Sequence, residues 1–266
     1  MQDHVITQKS TRLFLYLGGF FITNALIAEF MGVKLFSLEQ TLGMKPLDLH
    51  FFGNSFSFNL TAGVLLWPVV FVMTDIINEY YGPKGVRFLS YLTAALIAFA
   101  FFMFFGAIHL TPADFWVHSK AESGIPDLNV AYANIFGQGM GIIVASLTAF
   151  LIGQIVDVLV FHRIKRLTGE KYIWLRSTGS TLISQLIDSF IVLFIAFYIY
   201  PRVTNQPAAA QWSFSFVMTI CVGNYIYKFI VALVLTPVIY WVHNGVEKYL
   251  GHQLAASMKE KAIKDD

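Results

Sequence analysis

The 266-residue chain has little charge and a single cysteine, and both shortages restrict what it can be. Charged residues make up 13% of the sequence, against about 25% in a typical soluble domain. The mean hydropathy of +0.63 shows that apolar residues take the place of the missing charge. A soluble domain is therefore excluded, and the composition indicates a polytopic membrane protein. Because Cys221 has no second cysteine to pair with, an internal disulfide and a cysteine-based metal cluster are excluded as well.

Residues needed by several other functional classes are also missing. His109, His118, His162 and His243 are scattered over helix ends and loops, so we expect no histidine-based metal site. No glycine-rich phosphate loop occurs, and the serines at 177–180 have no histidine partner in another apolar run. We therefore expect no enzyme, no cofactor and no metal. A net charge of +2 is too small to indicate nucleic-acid binding.

Long apolar runs dominate what is present. A membrane span needs about 20 mostly apolar residues, and the sequence has six runs of that kind. They cover residues 13–33, 60–80, 86–110, 133–161, 177–200 and 212–242. The sequence therefore predicts an all-α integral membrane protein with six transmembrane helices. We expect a single six-helix domain over residues 1–250 and a charged cytoplasmic tail over residues 251–266.

The connections between the runs are of different kinds. Residues 34–59 mix polar and aromatic side chains, and they either form a short hairpin or lie at the membrane interface. Residues 111–130 contain prolines and a glycine, which predict a loop with about one helical turn. The charged tail that follows Glu247 is predicted to be an amphipathic helix that frays into solvent.

Basic residues predict the orientation, because cytoplasmic loops of membrane proteins carry an excess of lysine and arginine. With the N-terminus inside, thirteen of the basic residues lie on the cytoplasmic side and four lie outside, while Lys228 falls within a span. We therefore expect both termini to be cytoplasmic and the protein to lie in the cell inner (cytoplasmic) membrane. The thirteen are Lys9, Arg12, Lys84, Arg87, Arg163, Lys165, Arg166, Lys171, Arg176, Lys248, Lys259, Lys261 and Lys264.

Polar side chains inside the predicted spans are the candidates for function. An ionisable residue at the centre of a membrane helix costs about 2.5–3.5 kcal/mol and so calls for a functional reason. Helical spacing places Asp75 and Glu79 on one face, and it does the same for each of two Gln–Asp pairs. The candidate site residues are Asp75, Asn78, Glu79, Gln154, Asp157, Gln185, Asp188 and Lys228.

Each of these candidates also has a purely structural interpretation. The two Gln–Asp pairs could simply hydrogen-bond across neighbouring helices. Asp75 and Glu79 could form an interfacial cap beside Lys84 and Arg87. In either case we expect Lys228 to be the counter-ion of one of the carboxylates.

Four motifs resemble those of one known family. They are TDIINEYYG at 74–82, GQIVDV at 153–158, STLISQLIDSF at 180–190, and YK at 227–228 followed by TP at 236–237. In this order they resemble the signatures of the queuosine precursor transporters, a vitamin uptake-like family. The resemblance extends over residues 13–245, although the segments 34–59 and 111–130 are longer than the usual pattern.

The resemblance implies import of a 7-deazaguanine, either 7-cyano-7-deazaguanine or 7-aminomethyl-7-deazaguanine, for queuosine synthesis in tRNA. A guanine-like edge offers two parallel donors to a carboxylate, and its carbonyl needs a donor. Aromatic rings near the motifs, including Phe71 and Phe190, offer stacking faces. In the resulting hypothesis, Asp188 or Asp157 binds the guanine-like edge, and Gln185 and Gln154 (or Asn78) bind the carbonyl. Lys228 balances the charge. Asp75 and Glu79 serve substrate exit or proton coupling.

A second interpretation comes from another class of protein. The chain could be a substrate-capture subunit for another small heterocycle or vitamin, which needs a separate energising complex. The sequence does not decide between the two interpretations. It also leaves open whether the chain acts as a homodimer and whether transport is coupled to protons.

Overall fold

The computed structural model describes residues 8–47, 49–137, 140–169, 171–205, 207 and 211–264, and the protein is about 81% helical. Within these ranges five helices are long and apolar enough to cross a membrane. The expected all-α membrane architecture is therefore confirmed, whereas the terminal residues 1–7 and 265–266 lie outside the described residues. The helices are α1 (Lys9–Met31), α2 (Leu38–Thr41), α3 (Trp67–Ile108), α4 (Asp114–Val117), α5 (Leu128–Phe136), α6 (Met140–Thr168), α7 (Ile173–Leu193), α8 (Tyr200–Val203), α9 (Phe214–Leu250) and α10 (His252–Lys264).

Helix α3 contains the second and third predicted spans in one 42-residue element. Gly82 in its interior has φ 69° and ψ −173°, a non-helical conformation that glycine adopts most easily. The hydroxyls of Thr74 and Ser90 both approach Oε1 of Gln154, at 3.2 and 3.5 Å. In a straight helix these two residues would lie roughly 24 Å apart. The segments before and after Gly82, here called α3N and α3C, therefore fold back on each other.

The apolar core lies between α1, both halves of α3 and α6. Phe21 of α1 packs near Phe150 of α6, with the two ring centroids 6.3 Å apart. Gly18 of α1 lies against Leu89 of α3C, where a Cβ would come within 2.9 Å of the leucine side chain. This close approach explains why a residue without a side chain is needed at that crossing. Large apolar residues also cover the outside, as lipid contact allows.

The segment 34–59 forms two small antiparallel sheets with the residues that follow it. Strand β1 (Leu35–Ser37) pairs with β4 (Asn59–Thr61), and β2 (Leu49–Phe51) pairs with β3 (Asn54–Phe56). The hairpin interpretation of this segment is thus confirmed. The amide of Asn54 contacts the hydroxyls of Ser215 and Thr219 at 3.3 and 3.4 Å, so the β2–β3 hairpin rests on the start of α9.

Glu39 fixes this segment from within. Its carboxylate accepts hydrogen bonds from the backbone N–H of Phe58 at 2.7 Å and from the hydroxyl of Ser37 at 3.2 Å. Burial alone would raise the pKa of this carboxyl, but the hydrogen bonds outweigh burial and hold the pKa below its usual value of 4.5. The ionised form of Glu39 therefore stabilises the segment.

Because the pKa of Glu39 is lower in the folded segment, its stabilisation should be complete above pH 4.5 and be lost as the pH falls through the folded pKa. We expect the protection of residues 38–58 against hydrogen exchange, corrected for the intrinsic exchange rate at each pH, to fall below pH 4.5 in the wild type. Glu39→Gln should exchange faster at pH 7 and should show a weaker acid response. An unchanged acid response in Glu39→Gln would show that another group controls the segment.

Three other expectations change in detail. The segment 111–130 contains α4, one 3₁₀ turn and the start of α5, so it has more helix than the single turn expected. The fourth predicted span, 133–161, is divided between α5 and α6, since α5 ends at Phe136 with Gly137 as its C-cap. A π-helical segment, Phe194–Ile199, joins α7 to α8, and α9 continues eight residues beyond the predicted end at 242.

The charged tail forms helix α10, as predicted, but it packs on the helices instead of fraying into solvent. Ala255, Met258 and Ala262 recur at helical spacing and are buried. A Cβ on Gly82 would lie 3.1 Å from the backbone oxygen of Ala262, so α10 covers the reversal in α3. The apolar stripe of the tail forms this docking face. The stripe is hard to recognise in the sequence because the tail as a whole is highly charged.

Candidate functional site

Helix α7 presents a row of buried hydroxyl groups to α3N and α6. Ser177, Ser180 and Ser184 recur every three or four residues, which places them on one helix face. The hydroxyl of Ser177 donates to Oδ2 of Asp75, and that of Ser184 donates to Oδ1 of Asp157 at 3.2 Å. The row therefore connects two buried carboxylates that come from different helices.

Asp75 has one carboxylate oxygen held and the other available. Ser177 bonds Oδ2, whereas Oδ1 has no hydrogen-bond partner among the described residues. The residue is 3% exposed, and it lines a cavity. A buried carboxylate oxygen without a donor is expensive, so the geometry favours a ligand that supplies one.

The cavity lies between α3N, α7 and α9. Asp75, Gln185 and Lys228 contribute charged and amide groups to its wall, and they are three of the eight predicted site residues. Nε2 of Gln185 has no hydrogen-bond partner in the described part of the chain. Most of the remaining wall is apolar and consists of Val64, Trp67, Pro68, Phe71, Val72, Ala232, Leu235 and Ile239.

Asp188 and Lys228 form an ion pair, with Nζ of Lys228 2.6 Å from Oδ2 of Asp188. The predicted counter-ion of Lys228 is thus Asp188. The two side chains are 20% and 12% exposed, so the pair is partly open to solvent. Lys228 lines the cavity, whereas Asp188 packs against Gly153 of α6. A Cβ added to Gly153 would lie 3.6 Å from the Cβ of Asp188.

Gln154 and Asp157 lie outside the cavity wall, in a polar layer between α3, α6 and α7. Oε1 of Gln154 contacts the hydroxyls of Thr74 and Ser90, one on each half of α3. Asp157 bonds Ser184 and is fully buried. The Gln154–Asp157 pair thus makes hydrogen bonds to neighbouring helices, as the structural interpretation of the Gln–Asp pairs predicts.

Glu79 is the centre of a buried ionic cluster. Its carboxylate lies 2.8 Å from the guanidinium of Arg176 on α7 and 3.1 Å from Nζ of Lys165 on α6, and all three side chains are 1% exposed. Arg176 also donates to the carbonyl of Gly169 at 2.8 Å. The cluster ties α3N, α6 and α7 together. The structural alternative for Glu79, an interfacial cap beside Lys84 and Arg87, does not describe this arrangement, because α6 and α7 provide the partners of Glu79.

Asn78, the neighbour of Glu79, faces the same helix. Its Oδ1 lies 2.7 Å from Nε2 of His162, and both side chains are buried. Asn78 and Glu79 are therefore separate from the cavity, and they act with His162 and Lys165, which follow one another at i and i+3 on α6.

Sequence reasoning missed several of these residues. Lys165 and Arg176 were counted among the cytoplasmic loop charges, and His162 was treated as scattered. One signal was available, because Asp157 and Lys165 are eight positions apart, a separation that returns to the same helix face. The hydroxyls of Ser177 and Ser184 carried no such signal, since serine in a helix usually bonds its own backbone.

Comparison with known proteins identifies the family. The family model described as "Putative vitamin uptake transporter" matches residues 61–242, more than half of the chain and the part that holds the cavity. The chain belongs to this family. It is a family of membrane transporters and not of enzymes, which agrees with the absence of a nucleophile–base pair noted in the sequence.

Curated relatives of this transporter support the assignment. A protein of Bacillus subtilis (strain 168) named "Probable queuosine precursor transporter" is 33% identical over 187 residues, which are 70% of this chain and 72% of the relative. A protein of Haemophilus influenzae with the same name is 27% identical over 74% of this chain and 72% of its own length. The "Queuosine precursor transporter" of Escherichia coli (strain K12) is 27% identical over 70% of this chain and 73% of its own length. No solved structure matches the chain significantly.

Proposed function

We propose that this transporter imports queuosine precursors, the 7-cyano- or 7-aminomethyl-7-deazaguanine predicted above, and that they bind in the cavity between α3N, α7 and α9. The three relatives are named as queuosine precursor transporters, two of them as probable ones. The observation that carries the proposal is that Asp75 and Gln185 both line the cavity, and that each has a buried polar atom without a hydrogen-bond partner among the described residues. The cavity encloses about 30 Å³ of free space in this structure, so it has to widen to admit the base.

Asp75 is best placed to bind the guanine-like edge. The edge presents N1–H and an exocyclic NH₂, and Oδ1 of Asp75 accepts from them while Ser177 holds Oδ2 in position. The sequence hypothesis gave this role to Asp188 or Asp157. Asp188 is engaged by Lys228, and Asp157 does not line the cavity, so Asp75 moves from exit or proton coupling to recognition.

Gln185 and the aromatic walls complete the recognition of a flat heterocycle. Nε2 of Gln185 donates to the carbonyl of the base, in agreement with the role assigned from the sequence. Phe71, one of the predicted stacking residues, lines the cavity together with Trp67. Lys228, balanced by Asp188, serves as a second donor at the other side of the ring.

The topology that goes with this proposal has six crossing segments and both termini in the cytoplasm of the inner membrane. The segments are α1, α3N, α3C, α6, α7 with α8, and α9. Contacts support alternating directions, since Asn54 meets Ser215 at one end of the bundle and Gly82 meets Ala262 at the other. Removing the buried Lys165 and Arg176 from the count of basic residues leaves eleven inside against four outside, so the bias persists.

Restoration of queuosine in tRNA tests the proposal. The chain is expressed in a bacterium that cannot make the precursors and lacks its own importer, and each deazaguanine is supplied at low concentration. We expect queuosine to reappear in tRNA with at least one precursor. No queuosine with either precursor, although the protein reaches the membrane at normal levels, contradicts the proposed substrate.

Purified protein in liposomes then separates a transporter from a substrate-capture subunit. If the chain alone moves a labelled deazaguanine across the bilayer, it needs no energising complex. If it binds the compound and moves none, the capture-subunit interpretation is correct.

A further inference from the structure

The buried carboxylates of the helices differ in how their charge is balanced. Glu79 has Arg176 and Lys165 as partners, and Asp188 has Lys228. Asp157 forms no ion pair within the described ranges, although it is 0% exposed. A carboxylate in such a place is expensive to ionise without a positive charge beside it.

Oxygen atoms surround Asp157. Oδ1 accepts a hydrogen bond from Ser184 at 3.2 Å. Oδ2 has no hydrogen-bond partner among the residues that the structure describes. One helical turn away on α6, Oε1 of Gln154 lies next to the hydroxyls of Thr74 and Ser90. Carboxylate, hydroxyl and amide oxygens are the ligands that hard cations prefer, and a proton on Oδ2 would equally satisfy the group.

We propose that Asp157 binds the monovalent cation, a proton or a sodium ion, whose gradient drives import of the substrate. The inference rests on the proposed function and adds the source of energy for it. One positive charge on Asp157 removes the cost of the buried carboxylate, and both cations supply it. Coupling-ion sites of secondary transporters are formed between helices, and Asp157 lies between α6 and α7.

Helix α7 links the cation site to the substrate cavity. Ser177 holds Asp75 at the cavity, and two turns later on the same helix Ser184 donates a hydrogen bond to Asp157. A small movement of α7 that shortens the contacts at one of these two carboxylates therefore changes the contacts at the other. Linkage then requires that the cation raise the affinity for substrate by the same factor as the substrate raises the affinity for the cation.

Other charged groups face this region, and a pH effect has to be separated from theirs. Glu79 and Asp188 are already paired with basic residues, while Asp75 faces the cavity. The variant Asp157→Asn makes this separation, because it changes one group and leaves the rest in place. The groups on the helices around Asp157 are Asp75 and Glu79 of α3, His162 and Lys165 of α6, Arg176 and Asp188 of α7, and Lys228 of α9.

The test uses full-length protein in liposomes and two assays. Exchange of labelled for unlabelled deazaguanine needs no gradient, whereas accumulation is measured with either an inward pH gradient or an inward sodium gradient. We expect the wild type to exchange and to accumulate substrate under one of the two gradients, which identifies the cation. Asp157→Asn should keep exchange within a few-fold, because the amide imitates the neutralised carboxyl, and its accumulation ratio should fall to 1.

Asp114→Asn, at the start of the exposed helix α4, is the matched control and should behave as the wild type. Accumulation by Asp157→Asn under the same gradient overturns the inference, as does a wild type that exchanges but accumulates under neither gradient. If Asp157→Asn also loses exchange, the variant Ser184→Ala tests the inference instead. Ser184→Ala should need a higher cation concentration for half-maximal accumulation of substrate. If that concentration is the same as in the wild type, the inference is overturned.

A wild type that exchanges no deazaguanine refutes the proposed function and not the cation site. The site then has a test of its own without substrate. We expect sodium or protons to raise the thermal unfolding temperature of the wild type more than that of Asp157→Asn, because a bound cation stabilises the folded state. Equal shifts in the two proteins overturn the inference.

Discussion

Replacing Asp75 by asparagine should reduce the initial rate of deazaguanine uptake by about two orders of magnitude. The substitution keeps the size of the side chain, but it can turn an N–H group towards the donors of the base. A buried donor left without an acceptor costs about 1–3 kcal/mol, and two donors of the base face Asp75 in the proposed complex. Uptake by whole cells, corrected for the amount of protein in the membrane, provides the measurement.

Two control variants make this experiment decisive. Asp114→Asn changes an exposed carboxylate far from the cavity and should transport as the wild type does. Asp188→Asn leaves Lys228 without its counter-ion and should reduce uptake less than Asp75→Asn does, because Asp188 does not line the cavity. If Asp188→Asn has the larger effect, the guanine edge binds Asp188 and the hypothesis made from the sequence is restored.

Hydropathy and helical spacing predicted the architecture because both depend on neighbours along the chain. A run of about 20 apolar residues has few stable arrangements other than a membrane helix. For the same reason, polar residues inside those runs were identified as candidates. Asp75, Gln185 and Lys228 were selected in this way, and all three line the cavity.

The parts that depend on distant partners could not be predicted in this way. Lys165 and Arg176 stand in a basic stretch that is typical of a cytoplasmic loop, and only the position of Glu79, about a hundred residues earlier, explains their burial. The role of Asp75 was misassigned for a related reason. Its spacing to Glu79 suggested a common function, whereas the folded helix directs Asp75 into the cavity and Glu79 into the ionic cluster.

The polar residues of the transporter form three groups, and α7 takes part in all of them. Asp75 and Gln185 line the cavity, Asp157 bonds Ser184, and Glu79 with Arg176 belongs to the ionic cluster. In the proposed topology the cluster lies towards the cytoplasm and fastens α3N, α6 and α7 at that end. Because α7 contributes residues to the substrate cavity, to the proposed cation site and to the ionic cluster, a movement of α7 can connect the three.

Replacing Glu79 by glutamine should destabilise the protein more than any other single change of a carboxylate considered above. Lys165 and Arg176 would remain buried without their counter-charge, and breaking a buried ion pair in this way costs about 3–5 kcal/mol. For a chain of this size the thermal unfolding temperature should fall by roughly 10 °C, measured in detergent. Glu247→Gln is the matched control, since Glu247 pairs with Lys259 but is 27% exposed.

A partly exposed pair is worth about 0–1 kcal/mol, so Glu247→Gln should lower the unfolding temperature by no more than about 3 °C. Adding Lys165→Met to Glu79→Gln should recover part of the loss, because it removes one of the two stranded cations from the interior. Equal shifts for Glu79→Gln and Glu247→Gln, or no recovery in the double variant, would show that water already screens the cluster. In that case Glu79 would be free to serve substrate exit, the role that the sequence alone assigned to it.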